Sequence, residues 1–232
     1  MIKILHTSDL HGNISKIIER HKNDDFDIWI DSGDFHPDPP DFAKRLYSKD
    51  ELEYFQSSWF YEKEEEIVNW LNERPLISVP GNHDWSNLNN FIGIKAEEGP
   101  EVLGLKFSGF GEVPFCGPVF ANQRDVNDFG DLIQRIDEHQ PDVLITHSPP
   151  FGILDTIASR MRKTVWSDTC LMAPINLGCK ALTDYIFIKP NKIKFHFFGH
   201  IHNCAGVKTH KDVMFCNGAT NASIYNLPTK EK

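Results

Sequence analysis

Gly81-Asn82-His83-Asp84 follows the apolar run Leu76, Ile77, Val79 and Pro80, and its reading decides how the chain is organised. An apolar run gives way to a Gly turn, and the turn presents three side chains able to bind a metal, move a proton or orient a neighbour. Alone, the tetrapeptide is an ordinary turn, because Gly and Asn favour such bends and His and Asp are common loop residues. Its meaning depends on whether other apolar runs end in the same way.

Four others do. Ile2, Ile4 and Leu5 lead through His6-Thr7-Ser8 into Asp9-Leu10-His11-Gly12-Asn13, and Phe26, Ile28, Trp29 and Ile30 lead into Asp31-Ser32-Gly33-Asp34. Val143-Leu144-Ile145 ends at Thr146-His147-Ser148-Pro149-Pro150, and Phe195 to Phe198 ends at Gly199-His200-Ile201-His202. Short apolar runs bounded by Gly and polar clusters read as buried strands. Between them, helical spacing predicts helices over 15–21, 50–72, 125–139 and 179–188, the second carrying Leu52, Phe55, Trp59, Ile67, Trp70 and Leu71 on one face. Glu62, Glu64, Glu65 and Glu66 read as the solvated side of that helix. The Gly-rich stretch 91–120 reads as hairpins or meander strands, 155–178 as an irregular loop or insertion, and the tail from Val207 to Ile224 as short closing strands.

In an open sheet flanked by helices, the carboxyl ends of the strands share one edge, and ligands bind there. Asp9, His11, Asp34, Asn82, His83, His147, His200 and His202 would then face a single site. Asp9/His11 and His200/His202 are i, i+2 pairs, which on extended backbone point to one side about 6 to 7 Å apart. The donors are oxygen and imidazole with no thiolate, a set that suits Mn²⁺, Fe or Zn²⁺ in a catalytic rather than a cysteine-bound structural site. Two dications with Asp9 and Asp34 as the charged ligands would leave a site of about +2, attractive to a phosphate ester.

Composition bounds the alternatives. The 232 residues, 40% hydrophobic and 25% charged, suffice for one sizeable core, and one domain spanning 1–232 is expected. A net charge of −9 gives no general grip on a polyanion, so stable nucleic-acid binding is not expected. The 5 cysteines form no CxxC pair and are odd in number. With no membrane-length apolar run and an apolar start too short for a signal peptide, a reducing, cytoplasmic setting is expected. His6, His21, His36, His139, His196 and His210 read as core or surface residues, with His36 of interest because it follows Asp34 so closely.

In this order the blocks Asp9-Leu10-His11, Gly33-Asp34, Gly81-Asn82-His83-Asp84, His147 and Gly199-His200-Ile201-His202 resemble the calcineurin-like metallophosphoesterase superfamily. That resemblance implies a metallo-dependent phosphatase-like α/β fold, a four-layer α-β-β-α sandwich with two central mixed sheets flanked by helices. It implies one metal held by Asp9, His11, Asp34 and His202, and a second by Asp34, Asn82, His147 and His200, with Asp34 bridging. The metals would lie about 3.5 to 4 Å apart, and the hydroxide between them would attack phosphorus. Asn82 and His83 would meet the phosphate, His83 would protonate the leaving oxygen, and Asp84 would orient its ring.

The blocks His147-Ser148-Pro149-Pro150-Phe151-Gly152 and Asn217-Gly218-Ala219-Thr220-Asn221-Ala222-Ser223 look closest to the small MPPED-type branch, whose members hydrolyse small phosphodiesters, including cyclic nucleotides. The expected activity is therefore a manganese-dependent phosphodiesterase acting on small molecules. The alternatives are a phosphomonoesterase or a catalytically inactive scaffold of the same fold. A protein Ser/Thr phosphatase is disfavoured, since no Asp-Arg-Gly follows Gly33-Asp34. Arg162, with Arg160 and Lys163, is the further candidate for holding substrate phosphate.

Overall fold

A computed structural model describes residues 1–42, 46–158 and 174–228. Strand β1 (Ile2–Thr7) pairs in parallel with β2 (Ile28–Asp31), and β2 with β3 (Leu76–Ser78). The short strand Ile94–Lys95 extends this sheet beyond β3, and Ala222–Leu227 closes the other edge antiparallel to β1. A second sheet runs in the order 206–210, 213–217, 195–198, 143–146, 105–110, 101–102, parallel at its centre and antiparallel at both edges.

The apolar runs are continuous because both faces of these strands are covered. Successive side chains alternate between faces. Ile4, Ile28 and Ile30 meet Val143, Ile145, Phe197 and Cys216 in one buried cluster between the two sheets. Leu5, Trp29 and Leu76 point the other way, onto Ile14 and Ile17 of α1 (Ile14–His21) and Phe60, Ile67 and Leu71 of α2 (Lys49–Leu71). On the far side, Leu144, Phe198 and Phe215 pack against Leu132 and Ile136 of α3 (Gly130–His139) and Leu182 and Tyr185 of α4 (Lys180–Ile188). The result is the four-layer α-β-β-α sandwich with two central mixed sheets.

Helix α2 begins at a capping box: Ser48 Oγ accepts from the Glu51 backbone N–H, and Glu51 accepts from the Ser48 N–H at 2.8 Å. Along it Glu62, Glu64 and Glu65 are exposed, the solvated side the sequence indicates. Helix α3 starts at Gly130 rather than 125, because Asp125 Oδ1 accepts the Asn127 N–H at 2.9 Å and holds that segment in a turn. Leu105–Phe110 forms the expected short hairpin with 101–102, but it does not stop at local pairing. It pairs in parallel with 143–146, so its partners come from 36 residues downstream as well as from the short strand 101–102. Within 155–178 the described parts, Thr156–Ala158 and Pro174–Asn176, pair antiparallel.

Candidate metal centre and active site

The five polar blocks sit at the carboxyl ends of β1, β2, β3, 143–146 and 195–198, and both sheets deliver theirs to the same edge. Backbone bonds tie the first two together: Asp9 N–H donates to Gly33 O at 2.8 Å, His11 N–H to Asp34 O at 2.9 Å, and Gly12 N–H to Phe35 O at 3.0 Å. Glycine is required at two close approaches, one between neighbouring strand ends of the first sheet and one between the two sheets. A Cβ on Gly81 would collide with the Asp34 carboxylate and backbone nitrogen, and one on Gly199 with Ser8 Oγ and Asp9 Oδ2.

The i, i+2 pairs do not project from extended backbone, contrary to what their spacing suggests. Asp9, His11, Asp34 and His200 have φ of 54°, 43°, 56° and 68°, in the left-handed region, and His202 opens a 3₁₀ turn. Non-glycine residues there carry local strain and collect at functional sites. This twist, rather than strand pleating, turns the side chains toward one another.

His202 Nε2 lies 3.0 Å from Asp9 Oδ1, with the His11 ring 5.6 Å from the His202 ring. His147 Nε2 lies 3.0 Å from Asn82 Oδ1 and 3.2 Å from Asp34 Oδ2, with the His200 ring 5.1 Å away. Among the described residues, Asp9, His11 and His202 converge closely enough to share a cation, as do Asp9, Asp34 and His147, and as do His11, Asp38 and His83. All the candidate ligands are therefore brought to one basin, and Asp34 and Asp9 lie at its centre.

The donor set fits divalent cations on geometry. His147 Nδ1 donates to Ser32 O at 2.8 Å, which leaves the Nε2 lone pair facing the Asn82 and Asp34 oxygens, a cluster of acceptors with no donor unless a proton or cation sits among them. His11 Nδ1 is buried and has no hydrogen-bond partner. Electrostatics agree. Burial opposes charge on His147, but the Asp34 and Asp9 carboxylates and the Ser32 carbonyl raise it to about 10. Burial would raise Asp34, but His147, His83 and His11 hold it well below the usual carboxylate range. Burial pushes His200 down to about 4, so it is neutral with a lone pair to offer. The field that keeps a proton on His147 favours a cation in its place.

His83 stands beside this set, its ring 4.9 Å from that of His11. Its Nδ1 donates to Asp38, at 2.8 Å from Oδ1 and 3.0 Å from Oδ2. Asp84, expected to orient that ring, is engaged elsewhere. Its buried carboxylate accepts the backbone N–H groups of Asp34 and Gly81 at 2.8 Å, His36 at 3.1 Å and Phe35 at 3.3 Å, and the His36 ring at 2.9 Å. Adjacency in sequence is misleading here, because the turn Gly81-Asn82-His83-Asp84 sends consecutive side chains in different directions. Asp84 pins the loop that carries Asp34, and Asp38 takes the orienting role.

Sequence reasoning misses Gln56 and Asn122 and marks His36 only for its closeness to Asp34. Gln56 on α2, fully buried, donates to His83 O at 2.7 Å and accepts from the Trp85 and Ser86 N–H groups at 2.9 Å. Asn122 Nδ2 donates to Gly81 O at 2.8 Å and Asp84 O at 3.0 Å. His36 is the buried partner of Asp84. Only Asp38 and His36 left a signal, lying within four residues of Asp34. The Cys204 thiol donates to Thr156 O at 3.0 Å. Arg162 lies outside the described residues.

The family model described as calcineurin-like phosphoesterase matches residues 2–204. Two UPF0046 proteins of Caenorhabditis elegans are similar to parts of the chain. One is 32% identical over 124 residues, 51% of this chain and 38% of that protein, and the other is 25% identical over 161 residues, 65% and 48% respectively. The chain thus matches less than half the length of either relative. A solved crystal structure aligns with a TM-score of 0.52 at 15% identity, covering 93% of this chain and 89% of the other, a likeness of fold alone.

Proposed function

The chain belongs to the calcineurin-like phosphoesterase family, and from that premise we propose that it hydrolyses phosphodiester bonds of small molecules with the help of two divalent cations. The observation that supports this reading is the meeting of Asp9, His11, Asp34, Asn82, His147, His200 and His202 in one basin, with His83 at its side and paired to Asp38. Asp9, His11, Asp34 and His202 would hold one cation and Asp34, Asn82, His147 and His200 the other. Manganese suits this oxygen and imidazole set. When bound, such cations supply Lewis-acid stabilisation of the phosphoryl oxygens and lower the pKa of water.

The remaining work belongs to the chain itself. Asp38 fixes His83 Nδ1 as a donor, so Nε2 is the atom aimed outward, and it delivers a proton to the leaving oxygen. Asn82, being neutral, would hold its cation without cancelling positive charge, which would keep the basin attractive to a phosphate anion. Asp84 and Gln56 keep the loops bearing Asp34 and His83 in place without touching substrate. An ester of an alkyl alcohol needs this proton more than a p-nitrophenyl ester does, since an alkoxide leaves poorly.

The test is turnover of bis-p-nitrophenyl phosphate, p-nitrophenyl phosphate and cyclic nucleotides with added Mn²⁺. Diester hydrolysis in excess of monoester hydrolysis is expected. Faster monoester hydrolysis would overturn the diester preference, and no turnover with metal bound would leave an inactive scaffold.

A further inference from the structure

Close to His83 lies a cavity of about 200 Å³ whose wall includes Phe42, Leu46, Leu52, Trp85, Val119 and Phe120. Three of these rings belong to the neighbourhood of His83 itself. Phe120 is 4.9 Å from the His83 ring, Phe42 6.0 Å and Trp85 6.4 Å, while Phe42 stands 5.3 Å from Trp85 and 6.4 Å from Phe120. None of the three is buried, and the rim is more open still, with Leu46 87% and Val119 42% exposed. Large apolar side chains left open beside a polar basin mark a ligand-binding surface.

Resting on the phosphoesterase reading above, we propose that this cavity is a leaving-group pocket, and that the preferred substrates carry a flat aromatic group on the alcohol that departs. The geometry sets which end of the substrate enters. The proton donor must stand next to the departing oxygen, so whatever is attached to that oxygen extends past His83, toward Phe42, Trp85 and Phe120. The cavity falls below the ~300–1,000 Å³ of a drug-sized site, and so accommodates one or two fused rings rather than an extended chain. Faces of Phe and Trp hold such rings by stacking, and they do so without reading hydrogen-bond edges, so selectivity would be for flatness more than for one ring system.

The test uses two phosphodiesters with the same methyl group on the retained side, one with a 2-naphthylmethyl and one with a cyclohexylmethyl leaving group, chosen for similar leaving-group basicity. For the wild type, kcat/KM should favour the naphthyl ester. In Trp85→Leu the preference should fall about tenfold through KM, the size of one lost stacking contact, with the cyclohexyl ester within twofold of wild type. Leu46→Asp, at an exposed rim position that bears no core weight, should reduce the same preference by about threefold, which keeps the proposal testable if Trp85→Leu is poorly folded. Equal losses on both esters, or no change in preference, would overturn it. Binding of 2-naphthylmethyl phosphate, measured by calorimetry, separates the two claims. If neither ester is hydrolysed but this binding still weakens in Trp85→Leu, the pocket stands and the hydrolase reading falls. If the esters are hydrolysed without discrimination, the pocket falls alone.

Discussion

Replacing Asp38 by Asn tests whether this carboxylate, and not Asp84, governs His83. The side chains are 30% and 20% exposed, and the ring nitrogen lies 2.8 and 3.0 Å from the two carboxylate oxygens. A hydrogen bond between charged partners contributes about 1.5–3 kcal/mol net. Solvent screening at this exposure reduces that by roughly half, to about 1 kcal/mol. Asn keeps the shape and one acceptor but loses the charge, so the ring is held less firmly with Nε2 outward. A penalty of about 1 kcal/mol corresponds to roughly fivefold in kcat, well below the 10²–10⁴ typical of losing a general acid outright. The penalty should depend on the leaving group: about fivefold for a methyl alkyl diester, and close to none for a p-nitrophenyl ester, whose leaving oxygen needs little help. KM should hardly move, and the melting temperature should fall by only about 2–4 °C. Asp84→Asn should behave in the opposite manner, leaving a buried N–H without its acceptor at about 1–3 kcal/mol of stability, with no leaving-group dependence. Equal effects of Asp38→Asn on both esters, or a leaving-group-dependent loss in Asp84→Asn, would refute the assignment.

Other outcomes follow from the same geometry. His83→Ala should keep both cations by elemental analysis while losing about 10²–10⁴ in kcat on alkyl diesters, whereas Asn82→Ala should weaken cation binding first, read by titration with Mn²⁺. Gly199→Ala should lower stability by about 1–3 kcal/mol and Mn²⁺ affinity with it, since the added methyl displaces Ser8 and Asp9; unchanged affinity and melting temperature would contradict the close approach. Burial lowers His6 and His196 to about 3, so both are neutral when folded and charge only on unfolding. Their contribution is complete above the unfolded value of about 6.5 and is lost as pH falls toward 3, at up to about 2.7 kcal/mol per pH unit for the pair. Urea unfolding at several pH values checks this, and His196→Gln should remove about half of that dependence.

The strand ends were legible because two signals coincide there: a fully buried parallel strand must be continuously apolar, and the residue after it is free to be polar. Leu5 and Trp29 on one face, with Ile4 and Ile30 on the other, needed no knowledge of the neighbouring sheet. The layers came from the family resemblance rather than from the strand pattern. What could not be read was whatever depends on how a turn directs consecutive side chains. His83 and Asp84 are adjacent, yet one faces the basin and the other the Gly33-to-His36 loop. Asp38, 45 positions away, is the residue that reaches the ring. The short alternation of 105–110 points only to hairpins or a meander; the hairpin with 101–102 is present, but the parallel partner at 143–146 leaves no trace in nearby sequence. The left-handed φ of Asp9, His11 and Asp34 is equally invisible, since Asp and His adopt it only where surrounding contacts impose it.

Gln56 gives the basin an indirect reach. Its amide joins the third turn of a 23-residue helix on the outer layer to the backbone of His83, Trp85 and Ser86. Anything that steadies the His83 turn therefore also steadies one turn of α2, where no ligand touches. A phosphate analogue in the basin should accordingly slow amide hydrogen exchange around Gln56 and leave the ends of the same helix exchanging as before, so that an outer helix reports on occupancy of the interior.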